Sequence, residues 1–471
     1  MAAEQHHLMM FPWLAFGHLL PFLEFSKKLA AKGVKVSFVS TPRNLQRLPP
    51  IPAELSGRIK LLEVSLPLVE GLPENCEATI DVQPEQTPYL KKAYDRLAES
   101  MERVLQKELP DLIFVDFAAG WIPETAAKFG VPVAFFSAYT AATLAFLGPP
   151  GELSSGTQRK AAEQFTRPPD WFTFPSLVAH RPHYAPTAFK NLHIPDISGQ
   201  SSGQRIAKVV RGCSLIAVKS CNEFEEEYIH LLEELYQRPV LPIGVLPPET
   251  IQESQRDKNS SWFTTFEWLD KQKPKSVVFV GFGSEYKMPI EQIHELAFAI
   301  ELSGLAFVWI LREPQGEDGV NLLPHGFITR TSNQGIVCLG WVPQLEILAH
   351  PAIGGCLFHS GWGSITECLG FGHPLILMPM VYDQTLNAKL LAEKEVGYEV
   401  PRNIDGSFSR DSVAESIRLV MVEPEGKHIR SKAAKMQTIF GNQDLQDNYI
   451  NKFIQYLEKF QSWRKSHSSS Q

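Results

Sequence analysis

Short apolar runs alternate with longer amphipathic segments along most of the chain. Residues 7–13 and 34–41 are two such apolar runs, each of strand length. The segment between them has helical periodicity, with Pro21 in its first turn and Gly33 at its end, where helices favour proline and glycine respectively. A strand, a helix and a second strand in this order predict a βαβ unit with parallel strands.

The same alternation continues through the first half of the chain. Residues 111–117, 131–136 and 215–221 are further apolar runs of strand length. Residues 122–129, between the first two of these runs, are predicted to form a helix. This half of the chain therefore predicts a parallel sheet covered by helices.

A linker separates this series from a second one. Residues 238–249 are rich in proline and are followed by a polar run at residues 252–261. The second series of apolar strands follows at residues 276–284, 306–311, 335–342, 355–360 and 374–380. The two series predict two doubly wound parallel sheets that face each other across a cleft, with ligands at the carboxyl ends of the strands.

Composition narrows the class of partner. The chain has 471 residues, a formal net charge of −7, 44% hydrophobic and 21% charged residues, which is typical of a globular protein with two or three domains. The negative charge argues against nucleic acid or an anionic membrane as the main partner. The six cysteines show no C-x-x-C spacing, and we expect reduced thiols in a cytoplasmic protein.

No segment predicts a membrane span or a secretory signal. The N-terminal residues lack a basic region, and no apolar stretch reaches 18 residues without interruption. The longest candidate, residues 131–147, contains Pro132, Ser137 and Tyr139, so a buried strand and helix explain it better.

Residues 341–384 contain the densest set of candidate binding groups. An aromatic ring, Trp341, can stack on a base, and the carboxylate of Glu367 can accept ribose hydroxyls. Between them a His-x-Gly-Trp-x-Ser turn, residues 359–364, ends a strand and leads into a helix, whose free N–H groups and dipole favour a diphosphate. An Asp-Gln pair, Asp383 and Gln384, closes the stretch. This order of groups predicts a nucleotide-sugar site.

Residues 341–384 resemble the signature box of the plant UDP-dependent glycosyltransferases of small molecules, and the likeness extends over nearly the whole chain. The resemblance implies a GT-B fold of two Rossmann-like domains, inverting sugar transfer, a UDP-sugar as co-substrate and no metal ion or other cofactor. It also implies an N-terminal acceptor-binding domain at residues 1–242, a linker at 243–261, a UDP-sugar-binding domain at 262–445, a helix at 446–463 that returns to the N-terminal domain, and a polar tail at 464–471.

The resemblance assigns a donor site residue by residue. Trp341 would stack on uracil, Gln344 and Glu367 would bind ribose, and His359 and Ser364 would contact the diphosphate. Trp362, Asp383 and Gln384 would face the sugar. The remaining members of the predicted donor site are Gly283, Ser284, Val342, Gly361, Gly363 and Tyr382.

One position departs from the family pattern. The family usually has asparagine between Trp362 and Ser364, and this chain has Gly363. The chain therefore lacks one amide donor to the phosphate or the sugar, although the backbone N–H groups remain. We expect donor binding to persist and donor preference or turnover to change, because one well-placed donor is worth roughly 3–4 kcal/mol in a transition state.

His18 and Asp116 form the second candidate constellation. Each follows a strand of the first predicted sheet, so both are expected on the cleft side. In the family the matching histidine is the general base, and the matching aspartate orients it. A neutral imidazole can take a proton from an acceptor hydroxyl, and a carboxylate on its other nitrogen stabilises the resulting charge.

The acceptor is less well defined by the sequence. The FPWLAFGH start and the STPRN segment at residues 40–44 resemble a family branch in which many members add a sugar to a terpenoid or flavonoid glycoside. We therefore predict a lipophilic terpenoid, steroid or flavonoid glycoside as acceptor, with 1,2-type branching. Asp383 and Gln384 resemble the pair in glucose users, while rhamnose, xylose and galactose stay open as donors.

Two other classes of protein stay open at this point. A binding protein that sequesters a small ligand without catalysis is one, and a sugar-nucleotide epimerase of the same architecture is the other. The presence of both His18 and Asp116 argues against the first, and an epimerase needs no lipophilic pocket. We expect a monomer.

Overall fold

The computed structural model of the protein describes residues 6–247, 262–283, 285–312, 322–340 and 342–468, with side chains described as far as residue 460. In these residues the strands form two sheets, and every paired strand is parallel to its neighbour. This is the arrangement that the alternation of apolar and amphipathic segments predicted.

The first sheet has seven strands in the order β3-β2-β1-β4-β5-β6-β7. Their bounds are β1 His7–Phe11, β2 Lys35–Ser40, β3 Ile59–Glu63, β4 Leu112–Val115, β5 Val133–Ser137, β6 Leu215–Val218 and β7 Val240–Pro242. All residues of the inner strands β4, β5 and β6 are buried, because helices cover both faces of the sheet.

The helices that accompany the first sheet precede residue 240 in the chain. They are α1 Phe16–Ala31, α2 Pro42–Arg47, α3 Thr87–Asp95, α4 Ala98–Glu108, α5 Ile122–Ala127, α6 Ala141–Leu147, α7 Pro150–Ser155, α8 Ala185–His193, α9 Ser202–Gly212 and α10 Asn222–Tyr236. Residues 131–147, the most apolar stretch, form β5 and α6 as expected. The long, irregular segment between α7 and α8 contains one 3₁₀ helix, Ala162–Thr166.

The second sheet has six strands in the order β10-β9-β8-β11-β12-β13. Their bounds are β8 Val277–Gly281, β9 Ala306–Leu311, β10 Gly335–Leu339, β11 Ile353–Phe358, β12 Leu375–Leu377 and β13 Gly397–Glu399. Its helices are α11 Phe263–Asp270, α12 Ile290–Ser303, α13 Phe327–Arg330, α14 Gln344–Leu348, α15 Trp362–Gly370, α16 Gln384–Glu393, α17 Arg410–Met421 and α18 Lys427–Phe440.

Three edge or near-edge strands were not predicted. Strand β7 lies inside the proline-rich stretch that we had assigned to the linker, and its third residue is Pro242. A proline is compatible with a sheet edge, where one side of the strand has no partner. Strands β7 and β13 have three residues each and lack the fully buried apolar run of the equally short strand β12. Strand β3 escapes pattern recognition because most of its residues are exposed. Residues 248–261 of the predicted linker lie outside the described residues.

The final helix, α19 Gln443–Ser468, packs against the first sheet although it follows the second in sequence. The Phe453 ring lies 5.4 Å from the ring of Phe25 on α1 and 5.9 Å from that of Phe114 on β4. The side chain of Gln446 accepts a hydrogen bond from the Val245 N–H at 2.7 Å. The chain thus returns to its first half.

All six cysteines are free thiols, as predicted. Five are buried, and Cys76 is partly exposed. No helix among the described residues is long and apolar enough to cross a membrane.

The packing of α19 gives a testable prediction about stability. Replacing Phe453, which is buried, with alanine leaves a cavity between α19 and the first sheet, and we expect the free energy of unfolding to fall by ~3–5 kcal/mol. Asn451→Ala, on the exposed side of the same helix, is the matched control and should change it by less than ~0.5 kcal/mol. Chemical denaturation of both variants measures the difference; equal effects would contradict the packing described.

Candidate active site

The candidate site lies where the carboxyl ends of the two sheets face each other. The turns after β1, β4 and β5 contribute from the first sheet, and the turns after β8, β11 and β12 contribute from the second. This placement follows from parallel pairing, because all strands of one sheet then end on the same edge.

His18 and Asp116 come together at this edge of the first sheet. His18 lies in the first turn of α1, directly after β1, and Asp116 follows β4. The distance from His18 Nδ1 to Asp116 Oδ2 is 3.0 Å, and both side chains are almost completely buried. The carboxylate is fixed by two backbone donors, the N–H of Trp13 at 2.7 Å and that of Ala118 at 3.2 Å.

Aromatic rings surround the imidazole. The His18 ring centroid lies 5.4 Å from that of Phe117 and 5.4 Å from that of Tyr139. Trp13 packs in the core on the far side of Phe117, at 6.0 Å. Phe11, the last residue of β1, is buried in a stack with Tyr94. It is therefore a core residue.

Glu285 belongs to this site, and the sequence reasoning did not single it out. It follows β8 by four residues, and its carboxylate lies beside the Thr79 hydroxyl from the opposite half of the chain. Burial raises its pKa, while Thr79, His18 and Arg312 act against that rise. Its Oε1 atom is buried and has no hydrogen-bond partner in the described part of the chain. The hint in the sequence was a charged residue directly after the Gly-x-Gly-Ser turn.

On the second sheet, helix α15 points its N-terminus into the cleft. The helix begins at Trp362, and Gly361 is its N-cap. Its nine residues leave the N–H groups of the first turn without helical partners, which makes the position suitable for a diphosphate. Ser364 lies in this first turn and is partly exposed.

Two glycines make room for the imidazole of His359 beside this helix end. A Cβ atom on Gly283 would lie 2.7 Å from the His359 ring, and one on Gly361 would lie 2.5 Å from it. Gly283 also has a φ of +67°, which disfavours other residues. Burial lowers the pKa of His359 to about 4, so the ring is neutral at physiological pH and can donate a single N–H.

Gln344 and Glu367, which the resemblance assigned to ribose, are in direct contact. The Gln344 amide donates to Glu367 Oε2 at 2.6 Å, across 23 residues of sequence. Burial raises the pKa of Glu367, and the Gln344 hydrogen bond and the charge of Lys219 oppose that rise. Lys219 comes from the turn after β6 and contacts Thr366 on α15 at 3.3 Å, so a cation from the first sheet supports the carboxylate. Val342, two residues before Gln344, is buried.

The indole of Trp362, which the resemblance assigned to the sugar, packs instead between the two halves of the chain. Its indole N–H donates to the Lys219 carbonyl at 2.7 Å, and its ring packs against Phe224 and Phe440. The indole is thus buried in the contact between the two halves of the chain, and Trp362 has its main chain alone to offer a ligand. The sequence does not indicate the orientation of a large aromatic side chain in the first turn of a helix.

Asp383 and Gln384 follow β12 and begin α16. Burial raises the pKa of Asp383, while the hydrogen bond from Asn387 and the charge of His18 lower it. The side-chain oxygen of Gln384 accepts hydrogen bonds from the N–H groups of Met380 and Val381 at 2.9 and 3.0 Å and so holds the turn.

Asn387 is a site residue that the sequence reasoning missed. Its amide NH₂ donates to Asp383 Oδ2 at 2.7 Å and to the Ser360 carbonyl at 3.1 Å. Its carbonyl oxygen lies 3.3 Å from the hydroxyls of Thr140 and Thr143 on α6. The spacing of four residues from Asp383 on one helix was the available signal.

Two predicted donor-site residues, Trp341 and Ser284, lie outside the described residues. Their assigned contacts with uracil and with the diphosphate stay predictions. Tyr382 is described and is 45% exposed at the cleft.

Comparison with known proteins agrees with this geometry. A model of the family described as UDP-glucoronosyl and UDP-glucosyl transferase matches residues 250–439. UDP-glycosyltransferase 91A1 of Arabidopsis thaliana is 43% identical over 464 residues, which cover 96% of this chain and 96% of that protein. The chain belongs to the plant UDP-glycosyltransferase family. The soyasaponin III rhamnosyltransferase of Glycine max is a second relative, 38% identical over 457 residues and 96% of both chains.

A solved structure of the family confirms the fold. Glycyrrhiza uralensis UGT73P12, complexed with glycyrrhetinic acid 3-O-monoglucuronide, matches 99% of both chains with a TM-score of 0.80 at 21% identity. The two sheets are therefore the two Rossmann-like halves of a GT-B glycosyltransferase, an enzyme that takes a UDP-sugar as co-substrate. Among the described residues, no group of three or more His, Cys, Asp or Glu side chains is arranged to hold a metal ion.

The surroundings of Gly363 lead to a prediction about this UDP-glycosyltransferase. Gly363 is exposed, and no atom lies within 4 Å of a Cβ placed there, so Gly363→Asn fits without strain. We expect the free energy of unfolding to change by less than ~0.5 kcal/mol. The KM for the UDP-sugar should fall about fivefold, because the new amide adds a hydrogen bond worth ~1 kcal/mol.

Gly363→Ala is the matched control, since it adds the same Cβ without the amide. Steady-state kinetics at saturating acceptor measure the donor KM of both variants. Identical KM values for the asparagine and alanine variants would show that the missing amide has no effect on the donor.

Proposed function

We propose that this UDP-glycosyltransferase transfers glucose, with inversion at the anomeric carbon, to a hydroxyl of a lipophilic plant glycoside. The acceptor class is a terpenoid, steroid or flavonoid that already carries a sugar, and 1,2-type branching is the expected linkage. The observation that supports this best is the buried His18–Asp116 pair, 3.0 Å apart, at the carboxyl edge of the first sheet.

In the proposed reaction His18 is the general base. Asp116 holds the Nδ1 side of the ring, which leaves Nε2 to accept the proton of the acceptor hydroxyl. The acceptor oxygen, as it loses its proton to His18, attacks the anomeric carbon, and the bond from that carbon to the UDP oxygen breaks. UDP leaves with the bonding electron pair, and the proton remains on His18 until it passes to solvent. Asp116 stabilises the imidazolium in the meantime.

The leaving UDP would be held by the second sheet. The N-terminal N–H groups of α15 and the neutral His359 would donate to the diphosphate, whose negative charge increases as the bond breaks. Gln344 and Glu367 would bind the ribose hydroxyls, and Trp341 would stack on uracil. Gly283, Ser284 and Gly361 would allow the backbone to approach the phosphates.

Glucose is proposed because Asp383 can accept and the Gln384 amide can donate a hydrogen bond to neighbouring sugar hydroxyls. A second donor has specific support, since a relative at 38% identity is named as a rhamnosyltransferase. UDP-rhamnose is therefore the alternative to UDP-glucose at this site.

A glycoside acceptor is supported by the mixed lining around His18. The rings of Phe117 and Tyr139 provide an apolar surface for a hydrophobic ring system. Glu285 and Thr79 add buried polar groups that lack partners in the described part of the chain, and a sugar hydroxyl would satisfy them. The relative named for soyasaponin III agrees with such an acceptor.

We further propose the domain limits inferred from the sequence, with acceptor binding by residues 1–242 and donor binding by residues 262–445, in a monomeric cytoplasmic enzyme. Residues 243–261 would link the two domains.

The donor and acceptor classes are tested together by one screen. The protein is incubated with UDP-glucose, UDP-rhamnose, UDP-xylose or UDP-galactose and with paired aglycones and monoglucosides of flavonoid, steroid and diterpene classes. We expect UDP release and a product heavier by one hexose, with UDP-glucose and a monoglucoside giving the highest kcat/KM. Higher kcat/KM for aglycones would contradict a glycoside acceptor, and UDP-sugar interconversion without acceptor would indicate an epimerase.

The base assignment is tested by His18→Ala. We expect turnover to fall by ~10²–10⁴-fold, because the acceptor proton loses its recipient, while the Kd of UDP changes less than about twofold. Asp116→Asn should also lower kcat. His325→Ala, at an exposed position near the second sheet, is the control and should leave both quantities unchanged. Near-normal turnover of His18→Ala would refute the assignment.

A further inference from the structure

The turn that carries Asp383 is in contact with a distant segment of the chain. Residues 176–184, in the irregular stretch between α7 and α8, extend to the second sheet and its helices. The Leu177 N–H donates to Glu393 at 2.8 Å, and the Arg181 guanidinium pairs with Glu399 at 2.6 Å. These two contacts hold the segment against α16 and β13, and two others reach the sugar turn itself.

The first of these is a hydrogen bond to the backbone of Tyr382. The Tyr382 N–H donates to the Tyr184 hydroxyl oxygen at 2.5 Å. Tyr382 has a φ of +57°, a left-handed conformation that is unfavourable for a tyrosine and needs support from its surroundings. Tyr184 supplies such support one residue before Asp383.

The second contact lies on the other side of the turn. His180 Nδ1 is 2.5 Å from the hydroxyl of Thr385, and both side chains are buried. Thr385 directly follows Gln384 at the start of α16. The His180 ring packs edge-on against Phe146 at 5.1 Å, and the backbone N–H of His180 donates to the Phe165 carbonyl.

Tyr184 and His180 thus bracket residues 382–385, and the two rings also contact each other at 5.5 Å. Inside the turn, Gln384 binds the N–H groups of Met380 and Val381. The Tyr382 N–H, in contrast, binds the Tyr184 hydroxyl, so the position of Asp383 depends on a side chain from the other half of the chain.

We propose that Tyr184 and His180 are positioning residues that set the choice of donor sugar. They hold the Asp383–Gln384 pair in the geometry that matches the sugar hydroxyls, without touching the uracil, ribose or diphosphate sites. The inference rests on the proposed function, in which this pair binds the sugar of the UDP-sugar. It extends that function by assigning sugar selectivity to a segment of the acceptor side.

Tyr184→Phe removes the hydroxyl and keeps the ring. We expect kcat/KM for UDP-glucose to fall about 5–10-fold, in line with the loss of one hydrogen bond. The preference for UDP-glucose over its C4 epimer UDP-galactose should fall at least threefold, because a relaxed turn no longer distinguishes the two hydroxyl orientations. The Kd of UDP, measured by calorimetry, should stay within twofold of the wild-type value.

Thr385→Val tests the second contact independently, as it removes the partner of His180 with little change in shape. It should shift the donor preference in the same direction. Tyr449→Phe is the matched control: its hydroxyl also makes a long-range hydrogen bond, to Glu223 at 2.7 Å, but contacts neither the sugar turn nor residues 176–184. We expect an unchanged donor preference for this variant.

The outcomes separate the inference from the proposed function. Wild-type donor preference in both Tyr184→Phe and Thr385→Val would overturn the positioning role, as would an equal loss of UDP affinity, which would indicate a general structural role. A wild-type protein that binds UDP but gains no affinity from any attached sugar would instead overturn the proposed function.

Discussion

The buried side-chain amide of Asn387 connects the two halves of the chain at the candidate site. Asn387 binds the Asp383 carboxylate, the Ser360 carbonyl ahead of α15, and the Thr140 and Thr143 hydroxyls on α6 of the opposite half. Its side chain is completely buried, so each lost hydrogen bond would leave an unsatisfied polar group. The turn at residues 380–384, the N-terminus of α15 and the start of α6 are thus held in one arrangement.

This constraint matters because the proposed base and the proposed donor-binding residues belong to different sheets. His18 and Asp116 are placed by β1 and β4, and the donor groups are placed by β11 and β12. Proton abstraction and sugar transfer require a relative placement accurate to a fraction of an ångström. Buried polar contacts such as Trp362 to Lys219 limit the movement between the two halves. We therefore interpret the interface between the sheets as part of the catalytic apparatus.

The fold was predictable because its signals are local. Apolar runs and helical periodicity predicted the inner strands, and strand β9 matches the predicted residues 306–311 in full. The edge strands β7 and β13 were not predicted, since neither has the fully buried apolar run of the equally short strand β12. The last helix was assigned to the first sheet by resemblance alone, because its own sequence does not indicate which sheet it packs against.

The candidate site likewise contains residues that the sequence could predict and residues that it could not. Residues that follow strands, such as His18, Asp116 and Asp383, could be assigned to the cleft because parallel strands end together. The direction of the Trp362 indole and the roles of Asn387 and Tyr184 depend on contacts between residues far apart in sequence. Such contacts follow from tertiary packing and leave little trace in the pattern of one chain.

The central claim is that the two sheets bring a UDP-sugar and an acceptor hydroxyl together at His18. The most direct measurement is a crystal structure with an unreactive UDP-sugar analogue and a glycoside acceptor. The account predicts an acceptor hydroxyl within ~3.2 Å of His18 Nε2 and ~3–3.5 Å from the anomeric carbon, with Asp383 contacting the sugar. An acceptor hydroxyl bound away from His18, or a sugar that does not reach Asp383, would contradict it.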